Sequence, residues 1–316
     1  KKKELKKMFS IVFPGQGSQK VGMVKEFYDK YDLAKKIFKD ADGILDVPIT
    51  KIIFEGPDNK LNLTENTQPA IFLASYCIFQ IIKKEFGYDV KKFKYFAGHS
   101  LGEYSALACA GSISFEDTLK ILQKRGKFMQ EAVPSGEGSM LAVLGTNSKK
   151  LGEILNENKN KYECFIANDN STLQVVVSGL KKDINLLSKD LNNKKIKNLK
   201  LNVSAPFHCK HMKTASEKLS SFINELKMNE LEKPIISNVT AQEVSSVKEI
   251  KPLLISQIEK KVRWLECVEY MINNGIKNFV EIGPGKVLSG LIKRINKNVN
   301  VNSVNDEKDI KLLVND

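Results

Sequence analysis

Arginine is scarce in this chain, although basic residues are abundant. Only Arg125, Arg263 and Arg294 occur among 50 lysines and arginines, and with 37 acidic residues the formal charge is +13 at pH 7. Nucleic-acid readers rely on arginine for bidentate contacts with bases and phosphates, whereas scattered lysines are point charges on a solvated surface. The composition therefore argues against a nucleic-acid partner and makes an arginine within an apolar stretch noteworthy.

Paired cysteines and long apolar runs are missing as well. The five cysteines are widely spaced with no C-x-x-C pair, which is typical of reduced, buried thiols and argues against a disulfide framework or a zinc site. No apolar run reaches the roughly 20 residues that cross a bilayer. From these absences we expect neither a metal site nor a membrane association.

Short apolar segments alternate with longer helical patterns along the 316 residues. This alternation predicts an α/β fold with a mostly parallel sheet. The clearest strands are predicted at 9–13, 93–97, 235–237 and 279–282. The second and the last run directly into glycine and then a helix, and ligand sites in such sheets gather at the carboxyl ends of the strands.

A block in the middle of the chain has a different order of elements. It predicts a strand, a helix, two strands, a helix and a strand at 139–144, 148–158, 162–167, 173–178, 182–191 and 196–203. This β-α-β-β-α-β order is the ferredoxin-like pattern. We therefore predict a small ferredoxin-like subdomain at 135–203, inserted into a larger α/β subdomain formed by 1–134 and 204–316.

The segment Gly98-His99-Ser100-Leu101-Gly102 is the strongest chemical signal. It fits the G-x-S-x-G nucleophile elbow, in which glycines let a strand turn sharply into a helix and leave the serine hydroxyl exposed. The helix N-terminus would also stabilise negative charge that develops there. A glycine-flanked serine that merely caps a helix is the alternative, but the strand before it and the helix after it favour the nucleophile.

A serine nucleophile needs a base, and the chain has three histidines. His99 is adjacent to the serine, so its side chain should point away from the hydroxyl and orient the loop or touch the substrate. His208 follows a predicted strand on a proline-containing loop, and we favour it as the base. His211 is expected on the first turn of a helix, in an exposed or capping position. No carboxylate after His208 lies in a recognisable motif, so a neutral carbonyl could hold the imidazole instead.

The loop at 13–19 (FPGQGSQ) follows the first predicted strand. Its glycines let backbone amides approach a ligand closely. It is not a Rossmann fingerprint, because Lys20 stands at the third glycine position, and it is not a P-loop, because no GK[ST] follows. A backbone N–H offered to an oxyanion beside the elbow fits these residues better.

Arg125 lies in a predicted amphipathic helix at 119–130, next to Gly126. A surface arginine is the ordinary interpretation of such a position. The scarcity of arginine and the neighbouring glycine, which permits close approach, favour a guanidinium that faces a pocket. Such a group would bind a planar carboxylate bidentately, with lysine as a poor substitute.

These motifs together resemble one family over nearly the whole chain. They are FPGQGSQ at 13–19, NxTxxTQPA at 62–70, GHSLGE at 98–103, RGxxMQ at 125–130, GxGSM at 136–140, NDNS at 168–171, APFH at 205–208, Gln257, and EIGPGKVL at 281–288. The chain closely resembles the malonyl-CoA:acyl-carrier-protein transacylases of type II fatty acid synthesis. The resemblance implies a hydrolase-like core with a ferredoxin-like insertion.

The resemblance also implies a ping-pong reaction. Ser100 would attack the thioester of malonyl-CoA with His208 as general base, and the malonyl group would then pass to the phosphopantetheine thiol of acyl carrier protein. Malonyl-CoA is thus a substrate, and no cofactor is expected. In this family the residues matching Gln16 and Leu101 supply the N–H groups of an oxyanion hole.

Further roles follow from the resemblance alone. Arg125 would clamp the malonyl carboxylate, and a carbonyl from Gln257, in place of a carboxylate, would orient His208. The remaining matches near the expected site are Phe207, His99, Asn168 and Asn170. Phe207 resembles the residue of malonyl-selective members. A monomer is typical of the family and is expected here.

The basic residues 1–7 (KKKELKK) depart from the family, whose members often begin near Met8. They are consistent with the remnant of a targeting segment or with an arbitrary chain end. Together with the bias towards lysine and asparagine, they predict an organelle protein of a plastid or apicoplast. A bacterial-type cytoplasm is the alternative.

Two other classes share parts of the pattern. A serine thioesterase or lipase-like hydrolase has the same elbow but delivers the acyl group to water, and Arg125 distinguishes the two. A non-catalytic relative that binds the carrier protein would not need Ser100, His208 and Arg125 intact. Because acyl carrier proteins are typically acidic and CoA carries phosphates, we also expect a lysine-rich rim around the Ser100 cleft.

Overall fold

The computed structural model describes residues 8–315, and the basic stretch at 1–7 that supports the organelle prediction lies outside them. The strands within the described residues are β1 (Phe9–Phe13), β2 (Phe93–Gly98), β3 (Gly138–Leu144), β4 (Cys164–Ser171), β5 (Gln174–Leu180), β6 (Asn198–Lys200), β7 (Ile235–Ile236), β8 (Glu243–Val244), β9 (Asn278–Ile282) and β10 (Asn300–Val304). The α-helices are α1 (Lys25–Lys30), α2 (Asp32–Ile44), α3 (Ile49–Glu55), α4 (Asp58–Leu61), α5 (Thr64–Lys84), α6 (Gly102–Cys109), α7 (Phe115–Gln130), α8 (Ser148–Glu157), α9 (Lys181–Asn193), α10 (Lys213–Glu225), α11 (Val247–Gln257), α12 (Trp264–Asn273), α13 (Val287–Ile295) and α14 (Glu307–Asn315).

The larger sheet has the strand order β10-β9-β1-β2-β7-β8. Its neighbours pair in parallel except β8, which is antiparallel to β7 at one edge. The predicted α/β fold with a mostly parallel sheet is therefore confirmed. All five residues of β1 are buried, with Ile11 and Phe13 in the core on one face and Val12 in the core on the other. A parallel strand covered on both faces is expected to be apolar throughout.

The register of β1 and β2 brings two of the predicted motifs together. Phe13 pairs with Gly98, so the two strands end side by side. The loop after β1 and the turn after β2 therefore leave the sheet at the same edge. This is the edge at which sites form in parallel sheets.

The smaller sheet is antiparallel, with the order β4-β5-β3-β6. It is built from β3, α8, β4, β5, α9 and β6, which is the order of elements predicted for this block. It has its own core, in which Leu141 and Val143 of β3 pack with Val175 and Val177 of β5. The fold is thus a mixed α/β arrangement of a largely parallel sheet and a separate antiparallel one.

Two strands of the smaller sheet, β4 and β6, differ most from their predicted bounds. The prediction at 162–167 stopped where the apolar run ends, but β4 continues through polar residues to Ser171 because they pair with β5, with irregular register. The strand predicted at 196–203 is only β6, since just Asn198–Lys200 pair with β3. Leu201 and Val203 instead line a cleft, so their apolar character reflects that wall and not a strand.

The cysteines and the longest helix are as expected from the lack of paired cysteines and of long apolar runs in the sequence. The five thiols form no disulfide; three are buried and two are half-buried. None of the helices described in residues 8–315 is long and apolar enough to cross a bilayer. The longest of them, α5, lies largely buried in the core and packs against α7.

The close contact between α5 and α7 depends on Gly126, and this dependence can be tested by substitution. A Cβ atom on Gly126 would lie 2.4 Å from the Thr64 carbonyl oxygen, so Gly126→Ala should lower the free energy of unfolding by about 1–3 kcal/mol. Gly290 lies inside α13, exposed, with open space at its Cβ position. Gly290→Ala should therefore raise stability by up to about 1 kcal/mol. Urea denaturation of both variants tests the pair, and stabilisation by Gly126→Ala would contradict the close approach.

Candidate active site

The turn between β2 and α6 carries Ser100 in the left-handed backbone region, with φ of 54°. A Cβ atom on Gly98 would lie 1.9 Å from the carbonyl carbon of Gly102. One on Gly102 would lie 2.3 Å from the carbonyl oxygen of Phe13. Close backbone approach therefore requires both glycines, while the serine itself adopts the strained conformation. The Ser100 N–H donates to Asn238 Oδ1 at 2.8 Å, which helps to hold the turn.

Ser100 and His208 form a hydrogen-bonded pair. Ser100 Oγ lies 2.8 Å from His208 Nε2, and His208 Nδ1 lies 2.9 Å from the main-chain oxygen of Gln257. A carbonyl oxygen can only accept, so Nδ1 carries the proton of the neutral ring and Nε2 is left to accept from the serine hydroxyl. A main-chain carbonyl thus occupies the place that a carboxylate takes in a Ser-His-Asp triad.

The surroundings of His208 keep its ring uncharged. Burial lowers the pKa of the imidazole from its ordinary value to about 3, and the nearby positive charge of Arg125 acts in the same direction. The ring is therefore neutral at pH 7. That form can take a proton from the serine, as a general base must.

Arg125 is buried at the inner end of the site, 1% exposed. Its Nη1 donates to Gln68 Oε1 at 2.8 Å. Its Nη2 donates to Gln257 Oε1 at 2.9 Å and to Ser100 Oγ at 3.1 Å. The Tyr104 ring centroid lies 5.5 Å from the guanidinium carbon. The guanidinium thus lies within hydrogen-bond reach of the serine oxygen that His208 also contacts.

This guanidinium has capacity for a further ligand. Within residues 8–315, Arg125 forms no ion pair, and its Nε has no hydrogen-bond partner. Burial lowers the pKa of Arg125 from its ordinary value, because a charge away from water is disfavoured unless it is paired. A buried cation with an unused donor favours binding of an anion such as a carboxylate.

Two backbone N–H groups adjoin the serine. Gln16 follows β1 and Leu101 follows Ser100, and both residues line the cleft in front of Ser100. Neither N–H donates to an acceptor in the part of the chain that the structure describes. Unpaired N–H groups beside a nucleophile can bind an oxygen that becomes negatively charged.

The cleft has a volume of about 310 Å³. Eight of the ten predicted site residues line it, namely Gln16, His99, Ser100, Leu101, Arg125, Asn168, Phe207 and His208. An apolar side is formed by Met129, Met140, Leu201, Val203 and Phe207. The other two predicted residues, Gln257 and Asn170, lie behind the lining and hold residues that belong to it.

His99 points away from the serine hydroxyl, as the sequence predicted, and bonds elsewhere. Its Nε2 lies 2.8 Å from Asn170 Oδ1, and its ring packs 5.7 Å from the Trp264 ring. Burial lowers the pKa of the His99 imidazole. Asn168 lies in the lining, and its Oδ1 is buried without a hydrogen-bond partner. These asparagines lie on β4, beyond the predicted end of that strand.

The expectation for His211 was right about its place at the start of a helix and wrong about its exposure. His211 lies in a 3₁₀ turn (Lys210–Met212) that precedes α10, and it is half-buried and not exposed. Its ring packs edge-on against Phe165 at 5.7 Å, and its Nε2 is buried without a partner. Helical periodicity does not show that β4 covers this turn.

Three polar residues complete the site without an assigned role from the sequence: Gln68, Glu103 and Asn238. Glu103 Oε2 accepts from the Asn238 N–H at 3.1 Å and from Gln257 Nε2 at 2.8 Å. Burial raises the pKa of the Glu103 carboxyl to about 7. Asn238 Nδ2 also donates to the Gly98 carbonyl oxygen at 2.8 Å. The usable signal was at Glu103, the one charged side chain in the buried helix α6. Gln68 follows four polar residues at the start of α5 and does not stand out.

Across residues 8–315, no group of three or more His, Cys, Asp or Glu side chains could hold a metal ion. The candidate site is thus a serine–histidine pair with two free N–H donors and a buried guanidinium. This arrangement is suited to acyl transfer through the serine, with a carboxylate on the acyl group.

Comparisons with known proteins agree with this chemistry. The family model described as acyl transferase domain matches residues 10–312. The malonyl CoA-acyl carrier protein transacylase of Bacillus subtilis is 40% identical over 309 residues, which cover 96% of each chain.

Solved structures are similar as well. The acyl-carrier-protein S-malonyltransferase of Bartonella henselae is 38% identical with a TM-score of 0.94, covering 97% of this chain and 98% of that one. A malonyl-transacylase in complex with its type II PKS acyl-carrier protein is 35% identical with a TM-score of 0.93, covering 98% and 99%. The chain therefore belongs to the acyl transferase family and, within it, to the malonyl CoA-acyl carrier protein transacylases.

Proposed function

We propose that this chain transfers the malonyl group of malonyl-CoA to the phosphopantetheine thiol of acyl carrier protein, through a malonyl ester on Ser100, for fatty acid biosynthesis. The contact of 3.1 Å between Arg125 Nη2 and Ser100 Oγ carries the proposal. It places a carboxylate-binding group directly beside a serine nucleophile. The names of the relatives and the complex of one of them with its acyl-carrier protein support the same reaction.

In the first half-reaction Ser100 Oγ attacks the thioester carbonyl carbon while its proton passes to His208 Nε2. The N–H groups of Gln16 and Leu101 bind the carbonyl oxygen as it becomes negatively charged. The C–S bond then breaks, and the proton on His208 passes to the departing sulfur, so that CoA leaves as a thiol.

The second half-reaction repeats these steps with a different nucleophile. His208 Nε2 takes the proton of the phosphopantetheine thiol, and the sulfur attacks the ester carbonyl carbon on Ser100. The C–O bond breaks, and the proton returns to Ser100 Oγ as malonyl-carrier protein departs. The Gln257 carbonyl supports both steps because it holds the imidazole in one tautomer without adding a negative charge.

Arg125 selects the malonyl group at two stages. Without substrate, Ser100 Oγ accepts a hydrogen bond from Arg125 Nη2 at 3.1 Å. A carboxylate is a stronger acceptor than a hydroxyl, so the malonyl carboxylate takes that donor and frees the serine oxygen for attack. A neutral acyl group lacks this effect, and the preference therefore appears both in binding and in the rate of acylation.

The remaining predicted residues act on the wall of the cleft. Phe207 and Asn168 line the cleft, and Phe207 limits the space beside the acyl group. His99 is held by Asn170 and shapes the wall opposite. CoA is a substrate, and the reaction as proposed uses no cofactor.

The charge near the site suits an acidic partner. A second groove shares His208 with the cleft, and four lysines and two glutamates line it: Lys159, Lys210, Lys260, Lys261, Glu163 and Glu259. The excess of positive charge would attract an acidic carrier protein and the phosphates of CoA, with an association rate that falls as ionic strength rises. The expected partners are therefore these two, with no nucleic acid or membrane.

We propose that the chain acts as a monomer with two subdomains. We propose that 1–134 and 204–316 form a hydrolase-like core around the parallel sheet and that 135–203 form a ferredoxin-like insertion. The separate antiparallel sheet, ordered β4-β5-β3-β6, supports this division. The relatives from Bacillus subtilis and Bartonella henselae are bacterial, which supports the bacterial-type cytoplasm over the plastid or apicoplast.

The malonyl-serine intermediate can be observed directly. Incubation with malonyl-CoA alone should add one malonyl group to the protein mass, and peptide mapping should locate it on Ser100. Ser100→Ala should remain unmodified, and acyl carrier protein should discharge the adduct as malonyl-carrier protein. No adduct on folded protein would contradict the intermediate, while rapid release of free malonate without a carrier would indicate a hydrolase.

The role of Arg125 predicts a change in specificity. Arg125→Ala should lower kcat/KM for malonyl-CoA about 100-fold, the loss expected when a buried charged partner of a carboxylate is removed, and should raise the relative use of acetyl-CoA. Arg125→Lys retains the charge but not the planar fork and should recover little. Steady-state rates with both donors provide the test, and an unchanged malonyl preference in Arg125→Ala would contradict the assignment.

The depressed pKa of His208 predicts a pH profile. Burial lowers the pKa of His208 to about 3 in the folded protein. The ring therefore gains a proton only near pH 3, and the neutral base form persists as pH falls from 8 to 5. Acylation of Ser100 by p-nitrophenyl acetate, a neutral ester, should therefore show no loss centred near pH 6.5, the ordinary histidine value. The p-nitrophenol burst measures this rate, and a sigmoidal loss at pH 6.5 would contradict the buried neutral base.

A further inference from the structure

We propose that Glu103 is a positioning residue for Arg125, because it keeps the side-chain oxygen of Gln257 turned towards the guanidinium. Glu103 does not contact the serine hydroxyl or the imidazole, and it acts through Gln257. The inference rests on the proposed function, since it is measured as selectivity for a carboxylate-bearing acyl donor.

The Gln257 side chain lies between groups of opposite hydrogen-bonding character. Its Oε1 accepts from Arg125 Nη2 at 2.9 Å, and a guanidinium only donates. Its Nε2 faces three acceptors, namely Ser100 O at 3.1 Å, Glu103 Oε2 at 2.8 Å and Asn238 Oδ1 at 3.2 Å. The shortest of these bonds is the one to Glu103.

Only one orientation of this amide satisfies its neighbours. Rotation by 180° would put the Gln257 NH₂ group against the donors of Arg125 and its oxygen against the carboxylate of Glu103. Both contacts would be repulsive, and Gln257 is fully buried, so water could not relieve them. An ionised Glu103 thus fixes the orientation, because a carboxylate only accepts.

Glu103 also contacts Asn238, but through the main chain of that residue. It accepts the Asn238 main-chain N–H at 3.1 Å, while Asn238 Oδ1 accepts from Ser100 N and Nδ2 donates to the Gly98 oxygen. The two side-chain bonds of Asn238 hold the elbow even without Glu103. The bond from Arg125 Nη2 to Gln257 Oε1, in contrast, depends on the orientation of the Gln257 amide. Removal of Glu103 should therefore affect Arg125 more than the serine–histidine pair.

A second buried carboxylate provides a matched control. Glu281 on β9 is also fully buried, but it accepts from Leu288 N, Ser289 N and Ser289 Oγ at 3.1, 2.7 and 2.6 Å. It therefore caps α13, and within residues 8–315 its side chain forms no hydrogen bond with the site residues. Glu281→Gln therefore measures the effect of neutralising a buried carboxylate that does not contact the site.

The experiment compares Glu103→Gln, Glu103→Ala and Glu281→Gln with the unaltered chain. Each is assayed for kcat and KM with malonyl-CoA and acyl carrier protein, and for the p-nitrophenol burst with p-nitrophenyl acetate. Circular dichroism and thermal unfolding establish that each variant is folded at the assay temperature. Failure of the unaltered chain to transfer malonyl would refute the proposed function and not this inference.

The expected result is a selective loss. Glu103→Ala should raise KM for malonyl-CoA and lower kcat/KM about tenfold, the effect of one weakened buried hydrogen bond, while the burst with the neutral ester falls less than about threefold. Glu103→Gln retains an acceptor oxygen, so its kcat/KM for malonyl-CoA should lie between that of Glu103→Ala and that of the unaltered chain. Glu281→Gln should leave the ratio of the two activities unchanged. Equal losses with both substrates, or no loss, would overturn the inference.

If Glu103→Ala does not fold, Glu103→Gln carries the test through its pH dependence. Burial raises the pKa of Glu103 to about 7, with Arg125 opposing the shift. The titratable groups that face Glu103 are Arg125, Tyr104 and Cys267. Protonation below pH 7 removes the carboxylate that fixes Gln257, so KM for malonyl-CoA should rise as pH falls from 8 to 6. Glu103→Gln should lose that dependence, and its persistence would overturn the inference.

Discussion

Gln257 connects the two functions of the site. Its main-chain oxygen accepts from His208 Nδ1 at 2.9 Å, and its side-chain oxygen accepts from Arg125 Nη2 at 2.9 Å. One residue therefore links His208, the proposed base, to Arg125, the proposed anion-binding group. Gln257 is the last residue of α11, where main-chain carbonyls have no intrahelical partner. The end of that helix provides the acceptor that the imidazole needs.

A neutral partner for the histidine suits a site that already holds a buried cation. A carboxylate on His208 would attract Arg125 and compete with an anionic substrate for it. With a carbonyl instead, burial and the charge of Arg125 hold the pKa of His208 low. Arg125 then keeps an unused donor for a ligand. The main-chain carbonyl that replaces a carboxylate at His208 and the carboxylate binding proposed for Arg125 follow from the same electrostatics.

The site also depends on close packing and local backbone strain. Ser100 and His208 both have positive φ, 54° and 58°, a conformation that side-chain-bearing residues adopt at an energetic cost. The surrounding contacts hold them there, since Gly98 and Gly102 have no room for a Cβ atom. Such strain is retained where the rest of the fold overdetermines the backbone, and here it directs Ser100 Oγ towards His208 Nε2.

Much of the fold and the reacting pair could be read from the sequence. The predictions of β1, β2 and β9 agree with the structure to within one residue at each end, because these segments have local apolar patterns and nearby glycines. The ends of β4 and β6 could not be predicted from the sequence, because pairing with β5 and β3 decides where these strands end. Ser100, His208 and Arg125 stood out by residue type and motif. Gln16, Leu101 and Gln257 were identified only through the family resemblance, since they act through main-chain atoms that every residue has.

The sequence by itself thus determined the chemical groups and the order of the elements that carry them. The tertiary structure alone decided which carbonyl faces His208 and which donors of Arg125 are occupied. It also decided that Glu103 lies against Gln257. The physical reason is burial: hydrogen-bond partners and pKa values depend on neighbours that are 49 to 154 residues away along the chain, and no local pattern encodes those contacts.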